Sequence, residues 1–277
     1  MLEESLRRRL EALNRGPLPV EPAAKKRNAA PAIVQSKPIE PLPGLLRTAQ
    51  VVATASGEHA LISLPLERLW PRGERLVAAR IEHLQNEAEL ENFELAQLVR
   101  SMPDRALLVD LETCGLAGSA LFLIGVLRQV GGQFTIELLL ARNYAEERYV
   151  LETFWSLVDQ SHVLVTFNGK SFDWPMIVDR SARYLLHSGS TPSTCLHVDV
   201  LHHARRRWRR DLPDCRLQTL EQRICRRRRM GDIPSRMIPA AYAEFVRTGF
   251  ERDIESILYH NAVDLVTLLD LAVRLPA

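Results

Sequence analysis

The sequence predicts an α/β domain built on a mixed sheet of about five strands, with helices on both faces. Three observations predict it. Ala106–Glu112, Leu121–Leu127 and Phe134–Leu140 are successive apolar runs of strand length, and Gly131-Gly132 joins the last two as a hairpin. After them, helical and strand patterns alternate, the arrangement that extends a sheet and covers it. The chain has 277 residues and is 46% hydrophobic, enough for a sizeable core.

The elements follow in order. Residues 1 to about 16 carry Leu2, Leu6, Leu10 and Leu13 at helical spacing, ended by Gly16-Pro17. From there to residue 44 the chain is rich in Pro, Ala and Lys and reads as a flexible linker. Residues 45–103 read as a small β/α extension packing on the main domain. Val51–Thr54 and Ala60–Leu64 flank a Ser56-Gly57-Glu58 turn, and a helix is expected over Glu82–Met102. Residues 104–277 form the main domain. After the three-stranded meander come a helix from Ala145 to Gln160, a strand over His162–Phe167 and a helix over Phe172–His187. A short strand at His197–Leu201 precedes helices to the end of the chain. No internal repeat is visible.

Composition narrows the function classes. No run of about 18 apolar residues is present, so no membrane span is expected. The first ten residues lack the apolar stretch of a secretory leader, which makes the cytoplasm the expected compartment. Cys114, Cys195, Cys215 and Cys225 form no Cys-x-x-Cys pair, and are read as reduced thiols rather than a zinc site. The formal net charge is only +2, but eleven arginines and three acids lie between Arg205 and Arg229. A basic field of that kind attracts a polyanion.

Four carboxylates carry the chemistry. Asp110 and Glu112 are two apart on a strand and face the same way. Asp173 follows an Asn168-Gly169 turn at the start of a helix, and Asp264 lies within a long helical pattern. Acids beside a core are costly unless a cation balances them. Divalent ions prefer oxygen ligands. A pair of Mg²⁺ or Mn²⁺ ions about 4 Å apart would clamp both oxygens of a phosphodiester in transfer.

The motifs also carry a resemblance. Val109–Leu116, Phe122-Leu123-Ile124-Gly125, Val165–Asp173, His197–His202, Cys215–Glu221 and His260–Asp264 together resemble the YprB-type ribonuclease H-like domain. That domain is a branch of the DEDD (DnaQ-like) 3′–5′ exonuclease superfamily. The resemblance covers most of the last 170 residues. It implies a ribonuclease H-like fold and metal-dependent cleavage from a 3′ end, with Asp110, Glu112, Asp173 and Asp264 as metal ligands. Relatives place a Tyr four residues before the last acid, or a His five before it. Here His260 stands four before and Tyr259 five before, so the two residue types have exchanged places. Four residues is about one helical turn, which puts His260 over Asp264 and turns Tyr259 away. His260 is therefore the expected proton acceptor.

Secondary candidates surround this set. Asn168, Lys170 and Trp174 are candidates for contact with the substrate, and Arg205, Arg206 and Arg209 for contact with its phosphates, helped by Arg226–Arg229 beyond. Asp199 is expected to pair with a nearby arginine, and Phe172 to pack in the core. The sequence thus reads as a two-metal nuclease, a 3′–5′ exonuclease on single-stranded DNA or RNA. An endonuclease or resolvase on the same fold, and a nucleic-acid-binding module without activity, are the alternatives.

Overall fold

The computed structural model describes residues 38–86, 90–115, 118–186 and 195–276. The expected helix at residues 1–16 and most of the expected linker lie outside them. One sheet organises the rest. Its strands are β1 (Gln50–Ala53), β2 (Glu58–Pro65), β3 (Ala106–Thr113), β4 (Leu121–Val130), β5 (Gln133–Leu140), β6 (Val163–Thr166) and β7 (Leu196–Asp199), in the order β1-β2-β5-β4-β3-β6-β7. The β3-β4-β5 meander is antiparallel, while β6 and β7 add parallel to β3. The sheet has seven strands rather than five because β1 and β2 continue it, β2 pairing antiparallel with β5 from Ala60↔Leu140 to Pro65↔Thr135.

Every residue from Ala106 to Val109 and from Leu121 to Leu127 is buried, Gly125 included. Successive side chains point to opposite faces, so both faces of the central strands are covered. The helices are α1 (Gly73–Asn86), α2 (Phe93–Ser101), α3 (Glu147–Val158), α4 (Asp173–Arg183), α5 (Val200–Trp208), α6 (Leu217–Arg223), α7 (Ile238–Thr248) and α8 (Glu251–Arg274). The last is the central helix and packs across β3, β4 and β5. It is long and apolar enough to cross a membrane by length and composition, yet 89% of its most apolar window is buried within the protein.

Two local features set its position. Gly125 on β4 faces α8, where an added Cβ would lie 1.7 Å from Asn261 Oδ1 and 2.9 Å from Leu265 Cδ1. Only glycine lets helix and sheet approach that closely. The segment at Ile39, read from sequence as the end of a linker, is instead fixed to the domain. Ile39 donates its N–H to the Arg228 carbonyl at 2.9 Å, and its own carbonyl accepts from Met230 N at 2.9 Å and Tyr259 Oη at 2.8 Å.

A buried ion pair ties α3 to α4 and to the chain entering β4. The Glu147 carboxylate accepts from Leu121 N at 2.7 Å, Arg180 Nε at 2.6 Å and Tyr184 Oη at 2.8 Å, and Arg180 Nη1 donates to the Gly118 carbonyl at 3.1 Å.

Candidate active site

Three elements bring the predicted acids together. β3 supplies Asp110 and Glu112, just before a register irregularity at Glu112/Thr113 of the kind that re-aims side chains. The first residue of α4 is Asp173, and Asp264 lies in the middle of α8. The turn before α4 has a clear local cause. Asn168 sits at φ 65°, and a Cβ on Gly169 would fall 2.3 Å from Thr166 Oγ1. The backbone N–H groups of Asn168 and Lys170 both donate to the Asp199 carboxylate, at 2.8 and 3.2 Å.

Asp110 and Glu112 each feel the charges of Asp173 and Asp264. Burial pushes Asp110 well above the usual carboxylate range, and the charges of Asp264, Glu112 and Asp173 push the same way, against Arg229. Burial, then Asp264 and Asp173, push Glu112 up to about 8, opposed by His260 and a hydrogen bond from Asn261. Asp173 is pushed up to about 7, chiefly by burial and further by Asp199, against backbone hydrogen bonds at Asp173 and Leu111. Asp110, Asp173 and Asp264 each keep part of their surface exposed, so the cluster is crowded by protein yet reachable from solvent. Asn261 Nδ2 donates to Asp110 Oδ2 at 2.8 Å. Asp110 is the cross-strand partner of Gly125, so the bare glycine is what admits Asn261 to this acid.

His260 also belongs to the site, but in a charge state the sequence did not suggest. Its Nδ1 donates to Asp232 Oδ1 at 2.6 Å, and its Nε2 lies 3.4 Å from Asp264 Oδ2. Burial works against the imidazolium, but the Asp232 hydrogen bond and the charges of Asp264, Glu112 and Asp232 outweigh it and raise His260 to about 9. It is a cation at neutral pH, not a group poised near neutrality. Tyr259 is buried with its hydroxyl on Ile39, away from the acids.

A second cation, read from sequence as a phosphate contact, holds an acid of the site instead. Arg229 donates through Nη2 to Asp264 Oδ1 at 2.6 Å and to Glu221, and its Nη1 lies 3.4 Å from Asp232 Oδ2. The four acids suit divalent ions as a donor set, being hard carboxylates in excess of local positive charge. Among the described residues, however, no three His, Cys, Asp or Glu side chains stand in ligating positions. Asp264 is turned to Arg229 on one oxygen and to His260 on the other.

The remaining candidates divide. Asp199 serves the backbone instead: it caps α5 by accepting from Leu201 N at 3.1 Å and holds the Asn168–Lys170 turn. Phe172 is 65% exposed rather than in the core, because α4 begins there and its side chain is left on the rim. Trp174 packs edge-on against Trp155 at 5.5 Å and against His197 at 5.8 Å. Asn168 serves the turn through its backbone. Lys170 Nζ is paired with Glu94 Oε1 at 3.0 Å. Arg205, Arg206 and Arg209 are exposed on or just after α5. Arg227 and Arg229 are spent internally, Arg227 on Asp270 and over the Trp70 ring at 4.1 Å, so the basic field is narrower than the sequence suggested.

These shifts predict the pH dependence of the metal-free protein. Glu112 and Asp173 have folded pKa values above their ordinary 4.5 and 3.8, so the native state holds protons that the unfolded chain has released. Their contribution to stability is full below about pH 4 and is lost as pH rises to about 8. His260 adds a loss of the same sign between 6.5 and about 9. Thermal melts in EDTA are expected to fall across pH 5 to 9, and Mn²⁺ to flatten the slope; an EDTA curve that rises with pH refutes this electrostatic account.

Known proteins agree with this architecture. Residues 107–276 match the family model RNase_H_2, described as the RNase_H superfamily. An uncharacterised protein of Bacillus subtilis (strain 168), YprB, is 32% identical over 169 residues, which is 60% of this chain and 40% of YprB. The chain therefore spans less than half the length of that relative. The family B DNA polymerase of Pyrobaculum calidifontis superposes with a TM-score of 0.51 at 18% identity, over 62% of this chain and 24% of the polymerase, a likeness of fold alone. With the family model matched along well over half of its length, the chain belongs to the RNase H superfamily.

Proposed function

We propose that this protein is a divalent-metal-dependent nuclease that shortens single-stranded nucleic acid from its 3′ end. The observation that carries the proposal is that the charges of Asp173 on α4 and Asp264 on α8 both act on Asp110 and Glu112 of β3, which brings acids from three elements into one neighbourhood. Buried acids that raise one another's pKa are a mark of functional sites. Asp110, Glu112, Asp173 and Asp264 would hold Mg²⁺ or Mn²⁺. Two such ions supply charge that acidifies a water and balances the leaving oxygen.

The chain's own residues do the rest. Asp232 fixes the ring of His260 through Nδ1, leaving Nε2 on the side of Asp264. Asp264 and Glu112 are two of the charges that keep His260 protonated. When those acids are charge-balanced, His260 falls toward the range in which Nε2 accepts a proton from water. Asn261 keeps Asp110 in place by its hydrogen bond. Arg229 holds Asp264 and must share it with any ligated ion.

That last contact favours a second reading, a nucleic-acid-binding module that does not cleave. The two are separated by incubating 5′-labelled single strands and duplexes of DNA and RNA with Mg²⁺, Mn²⁺ or EDTA. A metal-dependent ladder of shortening products is expected on single strands. A single internal fragment would mean endonuclease action, and binding without cleavage in every metal would leave the second reading standing.

A further inference from the structure

We propose that α2, which lies outside the residues matching the RNase H family, supplies a stacking surface for unpaired nucleotides, with Phe93 as its platform and exposed arginines of α5 as its phosphate contacts. The inference rests on the nuclease reading for what the ligand is, and on the following placement for where it lies. Phe93 and Phe172 are the two most exposed aromatic side chains among the described residues, at 67% and 65%. Phe172 immediately precedes Asp173. Phe93 immediately precedes Glu94, whose carboxylate takes Lys170 Nζ at 3.0 Å and His203 Nε2 at 2.8 Å. Lys170 is two residues before Phe172 in the same turn. Phe93 and Phe172 are thus both exposed within two residues of one ion pair, which links α2 to the turn that leads into Asp173.

Leaving a phenylalanine in water forgoes a contribution that burial would bring. Two such rings, each within two residues of that ion pair, mark a surface that gains from a partner. Charge says which partner. His203 opens the exposed turn of α5, and Arg205 and Arg206 follow it into solvent with no acid between Val200 and Arg210. Glu94, next to Phe93, has its charge answered by Lys170 and accepts a hydrogen bond from His203. Exposed aromatic faces together with the exposed Arg205 and Arg206 suit a flexible polyanion with exposed bases. A duplex keeps its bases stacked on each other, so such a surface selects unpaired strands. The path runs from the terminal nucleotide at Asp173, past Phe172, to Phe93 and the arginines.

The test measures binding without turnover, by fluorescence anisotropy of labelled oligo-dT and oligo-U in EDTA. Phe93→Ala is expected to weaken single-strand binding about 5- to 150-fold, the range for one base–aromatic stack. Phe93→Trp is expected to restore it, which a mere loss of fold would not allow. Phe250→Ala removes another exposed ring, at the start of α8 about 20 Å along the helix from Asp264, and is expected to bind like the parent. Affinity within twofold of the parent for Phe93→Ala, or an equal loss on blunt duplex, overturns the proposal while leaving the nuclease reading intact. A parent protein that binds no nucleic acid overturns both.

Discussion

Asp110→Asn is expected to lower turnover of a single-stranded substrate by a factor on the order of 10² to 10³, the scale on which losing one preorganised charge-stabilising group acts. The same change is expected to raise the melting temperature of the metal-free protein. Both follow from one fact. Asp110 is held well above its ordinary pKa by burial and by Asp264, Glu112 and Asp173, so its charge opposes folding unless a cation is present. Asparagine has the same shape and keeps an oxygen for the hydrogen bond from Asn261 Nδ2, so the local packing survives. The variant therefore gains stability where it loses chemistry, the usual relation at a strained functional site. Single-turnover assays and melts, each with EDTA and with Mn²⁺, separate the two effects. The parent should gain stability with Mn²⁺ and the variant much less. Parent-like turnover in Asp110→Asn would remove this residue from the catalytic set.

Arg180→Leu is expected to be the most destabilising single change outside the acid cluster, by about 3–5 kcal/mol. Its partner Glu147 is 1% exposed and would keep a buried charge with, among the described residues, Leu121 N and Tyr184 Oη as donors. The Gly118 carbonyl loses its guanidinium donor as well. Removing half of a buried pair costs more than removing the pair, because the survivor stays desolvated. Adding Glu147→Gln should therefore recover more than half of the loss, since a neutral amide oxygen still accepts from Leu121 N. Denaturant unfolding of the two variants measures this. A loss under about 1 kcal/mol for Arg180→Leu would show that the pair contributes little.

Much of this was legible in the sequence, for definite physical reasons. The meander and the parallel strands are apolar on both faces, so they stand out as continuous runs. Asp110 and Glu112 break such a run two residues apart, which marks them as facing one way. His260 and Asp264 are one helical turn apart. What stayed hidden depends on contacts between distant segments. β1 and β2 read as a separate hairpin because only pairing with β5 joins them to the sheet. Arg229 lay in a run of four arginines, and nothing local distinguishes it from Arg228, which is exposed. Asp232 carries no pattern at all, yet it sets the orientation of His260. Phe172 was misplaced because an aromatic residue before a helix is ordinarily buried, and here the rim of the site leaves it out.

The closeness of α8 to β4 at Gly125 has a consequence for a chain still on the ribosome. Asn261 and Asp110 are 151 residues apart, so at 5–20 residues per second the ribosome makes the second about 8–30 s after the first. Until then the nascent polypeptide carries three of its four acids, its turn and its basic stretch, but not the helix that brings the fourth. Under the nuclease proposal, it cannot cleave the RNA around it until that helix has been made. The acid cluster is complete only when α8 packs onto Gly125.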